Sequence, residues 1–212
     1  MKFKFVFLFL FLIYPSFLYS HVNHYSKIKY IEMDVLRNGK KIGYNNYIFI
    51  FKNDFFIVKN KTNFVAKILD LNLLNVNSSS TETYKNGNLV KYKSRTIQNK
   101  KNKYNDLEFN EEKKIYNIKG SSYIGQVSSD ALIGNWWNHN ILQSKIIVSP
   151  LSGSLKFQEV YFVSKEILKI DSDEYNVSKF KIIMKKNINE KKKEEFNVWL
   201  DEKSKIILKV SY

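Results

Sequence analysis

Apolar and polar residues alternate with a period of two along most of the chain after residue 20. Residues 31–35 place three apolar side chains around two acidic ones, and Asn–Gly pairs at 38–39 and 86–87 strongly favour tight hairpin turns. The other strand-like runs are residues 42–51, 55–58, 64–74, 81–84, 89–97, 107–109, 115–118, 145–148, 155–163, 175–184, 196–200 and 206–210, with polar breaks at 75–80 and 99–103. This order predicts an all-β fold, a long antiparallel meander that forms a strongly curved sheet or an incomplete barrel.

The alternation fails between Ser128 and Gln143. Ser128, Ser129 and Asp130 are residue types that cap helix N-termini, and the apolar run from Ala131 to Trp137 follows them. The segment therefore predicts one short helix near 129–137, which would close one end of the curved sheet.

The first twenty residues have the layout of a secretory signal peptide. Lys2 and Lys4 precede an apolar run from Phe5 to Tyr14, and Pro15 and the small residue Ser20 follow it. The alternative is a retained membrane anchor, but the apolar run is about half of the roughly 20 residues that a spanning helix needs. We therefore predict cleavage after Ser20 and a periplasmic or secreted protein, with residues 21–212 as a single β-rich exported domain that does not span a membrane.

The amino-acid composition bears on how the protein is stabilised and on which partners its positive charge could attract. The chain has no cysteine, so its stability must come from a hydrophobic core without disulfides. Its formal charge is +15, yet only Arg37 and Arg95 are arginines, whereas proteins that read phosphates and bases favour the guanidinium group. The scattered lysines favour a solvated surface with weak attraction to an anionic envelope surface, and no nucleic acid partner is expected.

The segment Trp136, Trp137, Asn138, His139 and Gln143 is the candidate ligand-binding site. Paired indole rings with nearby amide groups suit the stacking of a sugar ring or the gripping of an apolar chain. The structural alternative is a plug in which one tryptophan anchors the segment in the core. Both interpretations can be true at once if the two adjacent tryptophans point in different directions, one into the core and one toward a ligand.

Catalytic chemistry has little support in the sequence. His139 is the one histidine outside the N-terminal stretch, and the chain contains no G-x-S-x-G elbow, P-loop or dinucleotide loop. His21 and His24 could join His139 in binding a metal only from a frayed chain end. We predict no catalytic residue, no metal site and no cofactor.

Several short motifs point to one family. They are Asp34 to Gly43, Thr81 to Tyr84, Ser94 to Thr96, Asn135 to Gln143, Ser149 to Gly153 and Trp199 to Asp201. Together they resemble an uncharacterised family of exported proteobacterial proteins known only as a domain of unknown function (domain of unknown function 6134 type). The chain departs from the family pattern at His139 and at Pro150-Leu151-Ser152-Gly153. The resemblance implies export and a β-rich fold, and it carries no activity or catalytic residue.

Three functions are left open. The first is a non-enzymatic periplasmic or envelope protein that binds an apolar or lipid-like ligand, or a partner protein, in the concavity of the sheet. The second is a purely structural, packed β-domain without a ligand. The third is a hydrolase or metal enzyme that uses His139. The first is our expectation, and a free space of several hundred Å³ beside the tryptophans would support it.

Overall fold

The computed structural model describes residues 25–68, 71–186 and 193–212, so the predicted signal peptide lies outside the described residues. No helix among the described residues is long and apolar enough to cross a membrane. The strands are β1 (Tyr30–Arg37), β2 (Lys40–Lys52), β3 (Phe55–Ile68), β4 (Leu71–Lys85), β5 (Asn88–Gln98), β6 (Lys101–Asn110), β7 (Ile115–Gly120), β8 (Ile124–Ser128), β9 (Leu132–Ile133), β10 (Ile146–Val148), β11 (Leu155–Ile170), β12 (Asp173–Lys185), β13 (Glu194–Asp201) and β14 (Ile207–Ser211). A four-residue 3-10 helix (His139–Leu142) lies between β9 and β10.

The strands form two sheets, and the predicted all-β class is confirmed. The large sheet is an antiparallel meander from β1 to β8. The smaller sheet has the order β14-β13-β12-β11-β10-β9, and β9 runs parallel to β10. Neither sheet closes into a barrel. The predicted long antiparallel meander corresponds to β1–β8, and the chain passes into the second sheet after β8, where the alternation fails.

The predicted break at residues 75–80 is wrong, since these residues lie inside β4. Ser78 and Ser80 point to the buried side of the sheet and are 3% and 7% exposed. The Ser78 hydroxyl shares a hydrogen bond of 2.6 Å with Thr96 Oγ1 on β5. A hydroxyl paired with the neighbouring strand costs little to bury, so a polar run continues the strand.

The predicted helix near 129–137 is also wrong. The amide of Ala131 donates to Ser128 O at 3.1 Å and closes a tight turn, and the amide of Gly134 donates to Val148 O at 3.0 Å. The amide of Asn135 donates to Ile133 O at 2.8 Å. None of these three bonds follows the i to i−4 pattern of an α-helix. We call residues 129–154, which run from this turn to the start of β11, the bridging segment.

The bridging segment lies between two hydrophobic cores. In each of the pairs Leu132–Ile133, Trp136–Trp137 and Ile147–Val148, the second residue packs in the core of the large sheet and the first in the core of the smaller sheet. Extended backbone sends neighbouring side chains to opposite faces, which explains the split within the two strand pairs. The segment therefore joins the two sheets by filling both cores.

Candidate functional site

Glu82 is a buried carboxyl group on the inner face of the large sheet. It lies on β4 and is 2% exposed. Asn135 Nδ2 and Trp137 Nε1 donate to its Oε1 at 2.6 and 2.7 Å, and the Tyr84 hydroxyl donates to Oε2 at 2.5 Å. Two of the three donors come from the bridging segment. Glu82 therefore fastens that segment to the sheet.

Burial controls the protonation of this cluster. Desolvation is the largest influence on the pKa of Glu82 and raises it above the ordinary value of 4.5, against the effect of the three donors. Burial, together with the charge of Glu82, also raises the pKa of the Tyr84 hydroxyl, which has the Asn138 side chain as a further hydrogen-bond partner. No described lysine or arginine forms an ion pair with Glu82, so neutral groups alone stabilise its charge.

Trp137 is fully buried inside a cage of aromatic rings. Its ring meets Tyr25, Phe49, Phe56 and Tyr84 edge to face, with centroid distances of 5.0, 5.6, 5.8 and 5.9 Å. This geometry is the favourable one for aromatic pairs. A ligand would reach the Trp137 ring only if this cage opened.

The other four candidate residues lie in different surroundings. Trp136 packs on Phe196 at 5.5 Å in the core of the smaller sheet. Asn138 is 5% exposed, and its Oδ1 accepts from the amide of Asn140 at 3.0 Å at the start of the 3-10 helix. Gln143 is exposed at the other end of that helix. The structure thus separates the candidate residues instead of gathering them around one opening.

His139 lies beside Tyr25, with its Nδ1 3.3 Å from the Tyr25 hydroxyl. That hydroxyl donates to the Trp137 carbonyl oxygen at 2.6 Å. Within the described ranges, no three His, Cys, Asp or Glu side chains lie close enough together to hold a metal ion. The two other histidines of the sequence, His21 and His24, lie outside the described residues.

A second set of polar groups holds the turn at Ser149–Gly153. The Tyr92 hydroxyl and Ser94 Oγ donate to Pro150 O at 2.9 and 2.6 Å, and Asn105 Nδ2 donates to Ser149 O at 3.1 Å. All three donors point inward from β5 and β6. The bridging segment is therefore tied to the large sheet at two places, by Glu82 and by this turn.

Gly120 on β7 lies against the backbone of the turn at Ser149–Gly153. A Cβ at this position would lie 2.4 Å from Ser152 O and 2.9 Å from Gly153 Cα, both backbone atoms. We expect Gly120→Ala to lower the free energy of unfolding by about 2 kcal/mol, because the turn must move away from its polar contacts. Urea denaturation followed by circular dichroism measures this.

Gly125→Ala is the matched control on the neighbouring strand β8. Its Cβ would meet the Tyr123 hydroxyl at 2.6 Å, which is the far end of a flexible side chain. We expect a cost below about 1 kcal/mol, since the ring can turn aside. Equal losses for the two variants would contradict the close packing of the turn on β7.

A cleft of about 480 Å³ opens between the end of the 3-10 helix and strands β11 and β12. Leu142, Phe157, Val160 and Ile183 supply its apolar lining. Trp136 belongs to the same hydrophobic cluster as Leu142 and Val160, but it does not line the cleft. This is a free space of the size expected for a ligand. Of the five candidate residues, Gln143 lines the cleft and the two tryptophans do not.

Gln158 is the buried polar group of the cleft and is 5% exposed. Its Nε2 donates to the carbonyl oxygens of Ile141 and Ser144, the latter at 2.7 Å. Its Oε1 has no hydrogen-bond partner among the described residues. Lys145, Lys185 and Glu159 are the charged residues of the lining. Neither lysine forms an ion pair with a described residue.

Sequence reasoning missed Glu82 and Gln158. The nearest neighbours on the same face are Ser80 and Tyr84 for Glu82, and Lys156 and Val160 for Gln158, so the alternation alone does not mark either residue as a buried polar position. A charged residue that is buried needs a partner that satisfies it. The sequence cannot name that partner, because Glu82 and Trp137 are 55 residues apart.

Comparison with known proteins gives one match. The model of a family described as a domain of unknown function (DUF6134) matches residues 33–212. No curated protein and no solved structure matches the chain. The matched range includes the Glu82 cluster, the bridging segment and the cleft.

Proposed function

Since the chain belongs to the DUF6134 family, a domain of unknown function, we propose its role from the structure: a non-enzymatic exported protein that binds an apolar or lipid-like ligand. The cleft beside the 3-10 helix is the proposed binding site. The Glu82 cluster and Trp137 act as the scaffold that positions the cleft wall. The signal-peptide pattern of residues 1–20 supports a periplasmic or secreted location.

The apolar lining of the cleft is the observation that carries this proposal. Leu142, Phe157, Val160 and Ile183 are contributed by the 3-10 helix, β11 and β12. Most ligand sites are concave and largely apolar with a few polar groups that set orientation. An acyl chain fits such a lining.

The polar groups of the cleft favour an amphiphile over a plain hydrocarbon. Gln158 Oε1 is a buried acceptor that a hydroxyl or N–H group of the ligand would satisfy. Lys145 and Lys185 outnumber the one acidic residue of the lining, Glu159, so the cleft has a net positive charge that would attract an anionic head group. The ligand class that suits Gln158 and the two lysines is a hydroxylated anionic amphiphile.

A purely structural domain is the second candidate, and the complete burial of Trp137 favours it. The fixed aromatic cage and the polar ties of the bridging segment suffice to explain why the paired tryptophans are there. Under this alternative the cleft is a surface depression without a ligand.

Calorimetric titration of the purified mature protein separates the two candidates. The probe is lysophosphatidylglycerol below its micelle concentration, which has one acyl chain, an anionic phosphate and free hydroxyls. We expect saturable binding to the wild type, because the lining, the two lysines and Gln158 each find a partner. The variant Lys145→Glu with Lys185→Glu should bind roughly tenfold more weakly.

The control variant is Lys59→Glu with Lys61→Glu, which makes the same charge change on the exposed side of β3. It should bind like the wild type. An uncharged monoacylglycerol of equal chain length should bind more weakly than the anionic probe. If neither lipid binds, the proposed function is overturned and the structural domain is left. If both lipids bind equally well, the role of the lysines is refuted.

A further inference from the structure

The outer face of the large sheet, which points away from its core, carries positive charge and no acidic residue over four strands. Strands β2, β3 and β5 contain no acidic residue, and the single one in β4 is Glu82, which is buried on the inner face. Five cationic side chains alternate along β3 and β5 with residues of the inner face, so they point outward. We call these five residues the cationic strip: Lys59, Lys61, Lys91, Lys93 and Arg95.

The strand register gathers the cationic strip around the short side chains of β4. Lys59 on β3 and Lys93 on β5 are the direct neighbours of Thr81 on β4. Lys61 and Arg95 flank the next outward serine of β4 in the same way. Because neighbouring strands lie about 4.8 Å apart, the cations of β3 and β5 face each other across about 10 Å. The strip is therefore one continuous patch.

Most of the cationic strip lacks an acidic partner. Two of its members pair with acids of β6, Arg95 with Asp106 and Lys91 with Glu108, each at 2.6 Å. The other three members form no ion pair with a described residue. An anionic occupant of this face would therefore meet three amines whose charge no neighbouring acid neutralises.

Exposed apolar and tyrosine side chains flank the cationic strip on the same face. Ile48 on β2 is the direct neighbour of Lys59 and is 53% exposed. Tyr104 on β6 is the direct neighbour of Arg95 and is 39% exposed. Ile97, two residues after Arg95 on the same face of β5, is 51% exposed. Lysines beside apolar and tyrosine side chains are typical of surfaces that lie in a membrane interface.

We propose that the outer face of β2 to β6 docks on the surface of an anionic lipid membrane. The lysines lie at the level of the lipid phosphates, and Ile48 and Ile97 reach the boundary of the acyl chains. The charge of the strip selects an anionic surface. The apolar side chains favour a membrane over a dissolved polyanion, which has no apolar layer. This face belongs to the large sheet and the cleft to β11 and β12, so the proposal is independent of the proposed function.

Co-sedimentation of the mature protein with lipid vesicles tests this proposal. With vesicles of phosphatidylethanolamine that contain about one quarter phosphatidylglycerol, we expect binding at about 0.05 M salt that is lost at about 0.5 M salt. Vesicles of phosphatidylcholine alone should not bind. Lys59→Glu with Lys61→Glu should raise the lipid concentration for half-maximal binding at least about tenfold, because two attractive charges become repulsive. Ile48→Ser with Ile97→Ser, at two exposed positions, should raise it about threefold.

The control variant is Lys165→Glu with Lys169→Glu, which makes the same charge change on exposed side chains of β11 in the smaller sheet. It should bind the vesicles like the wild type. The variant Lys59→Glu with Lys61→Glu should still bind monomeric lysophosphatidylglycerol in the cleft. A dissolved monomer carries one charge, whereas a vesicle presents many charges to the strip at once.

Three results would overturn docking through this face. They are no binding to the anionic vesicles, binding that Lys59→Glu with Lys61→Glu retains, and an equal loss in the control variant. Two further results would overturn the membrane as the occupant. The first is an unchanged affinity of Ile48→Ser with Ile97→Ser, and the second is binding to dextran sulfate without binding to the vesicles.

Discussion

Replacing Trp137 by alanine is expected to lower the free energy of unfolding by about 4 kcal/mol. The indole is fully buried, so the change leaves a cavity among Tyr25, Phe49, Phe56 and Tyr84. It also removes the Nε1 donor of Glu82. Urea denaturation followed by far-ultraviolet circular dichroism measures the loss.

Two further variants separate the contributions to this loss. Trp137→Phe keeps an aromatic ring but has no N–H group, so we expect it to cost about 2 kcal/mol, from the lost donor and the reduced volume. Trp136→Ala should cost less than Trp137→Ala, because Trp136 is only partly buried in the other core. If Trp137→Ala cost less than about 1 kcal/mol, Trp137 would not be the anchor of the bridging segment.

The hairpins of the large sheet could be predicted because their signals are local. Asn38 and Gly39 have φ values of 50° and 75°, and Asn86 and Gly87 have φ values of 50° and 80°. These are the positive φ angles that a type I′ turn requires at both positions, and asparagine and glycine adopt them most readily. Alternation on either side of such turns was sufficient to predict antiparallel pairs.

The bridging segment could not be predicted because its structure depends on distant partners. Ser128, Ser129 and Asp130 are good helix caps in isolation, yet the amides that would start a helix are used by a turn and by β10. The adjacent apolar pairs serve two different cores, a pattern that period-based reasoning assigns to a helix as readily as to a strand. The local structure of the candidate segment therefore differs from the helix that the sequence predicts.

The division into two sheets follows from the same segment. A strand that is buried on both faces needs apolar residues at consecutive positions, as in Ile147–Val148, and not alternation. The loss of alternation after Ser128 thus marks the place where the chain leaves the large sheet and passes between the two cores. Glu82 and the turn at Ser149–Gly153 then fix how this segment lies on the large sheet.

Replacing Glu82 by alanine is expected to lower the free energy of unfolding by about 3 kcal/mol. The change leaves Asn135 Nδ2 and Trp137 Nε1 buried without their acceptor. Glu82→Gln is the matched control, because its side-chain oxygen can still accept from both groups. We expect this variant to remain within about 1 kcal/mol of the wild type at neutral pH.

The difference in the free energy of unfolding between Glu82→Gln and the wild type, measured as a function of pH, tests the charge of Glu82. Burial raises its pKa above 4.5 in the folded state, so the native protein holds this proton more tightly than the unfolded chain does. Its contribution to stability is therefore complete below about pH 4.5 and is lost as the pH rises through the folded pKa. Relative to the wild type, Glu82→Gln should become more stable as the pH rises from about 4 to about 7.

The carboxyl groups with lowered pKa, such as Asp106 beside Arg95, have the opposite pH dependence, but they are common to both proteins and cancel in the difference. A difference that stays constant over this range would mean that Glu82 is charged in the folded protein throughout, with its three donors outweighing the cost of burial.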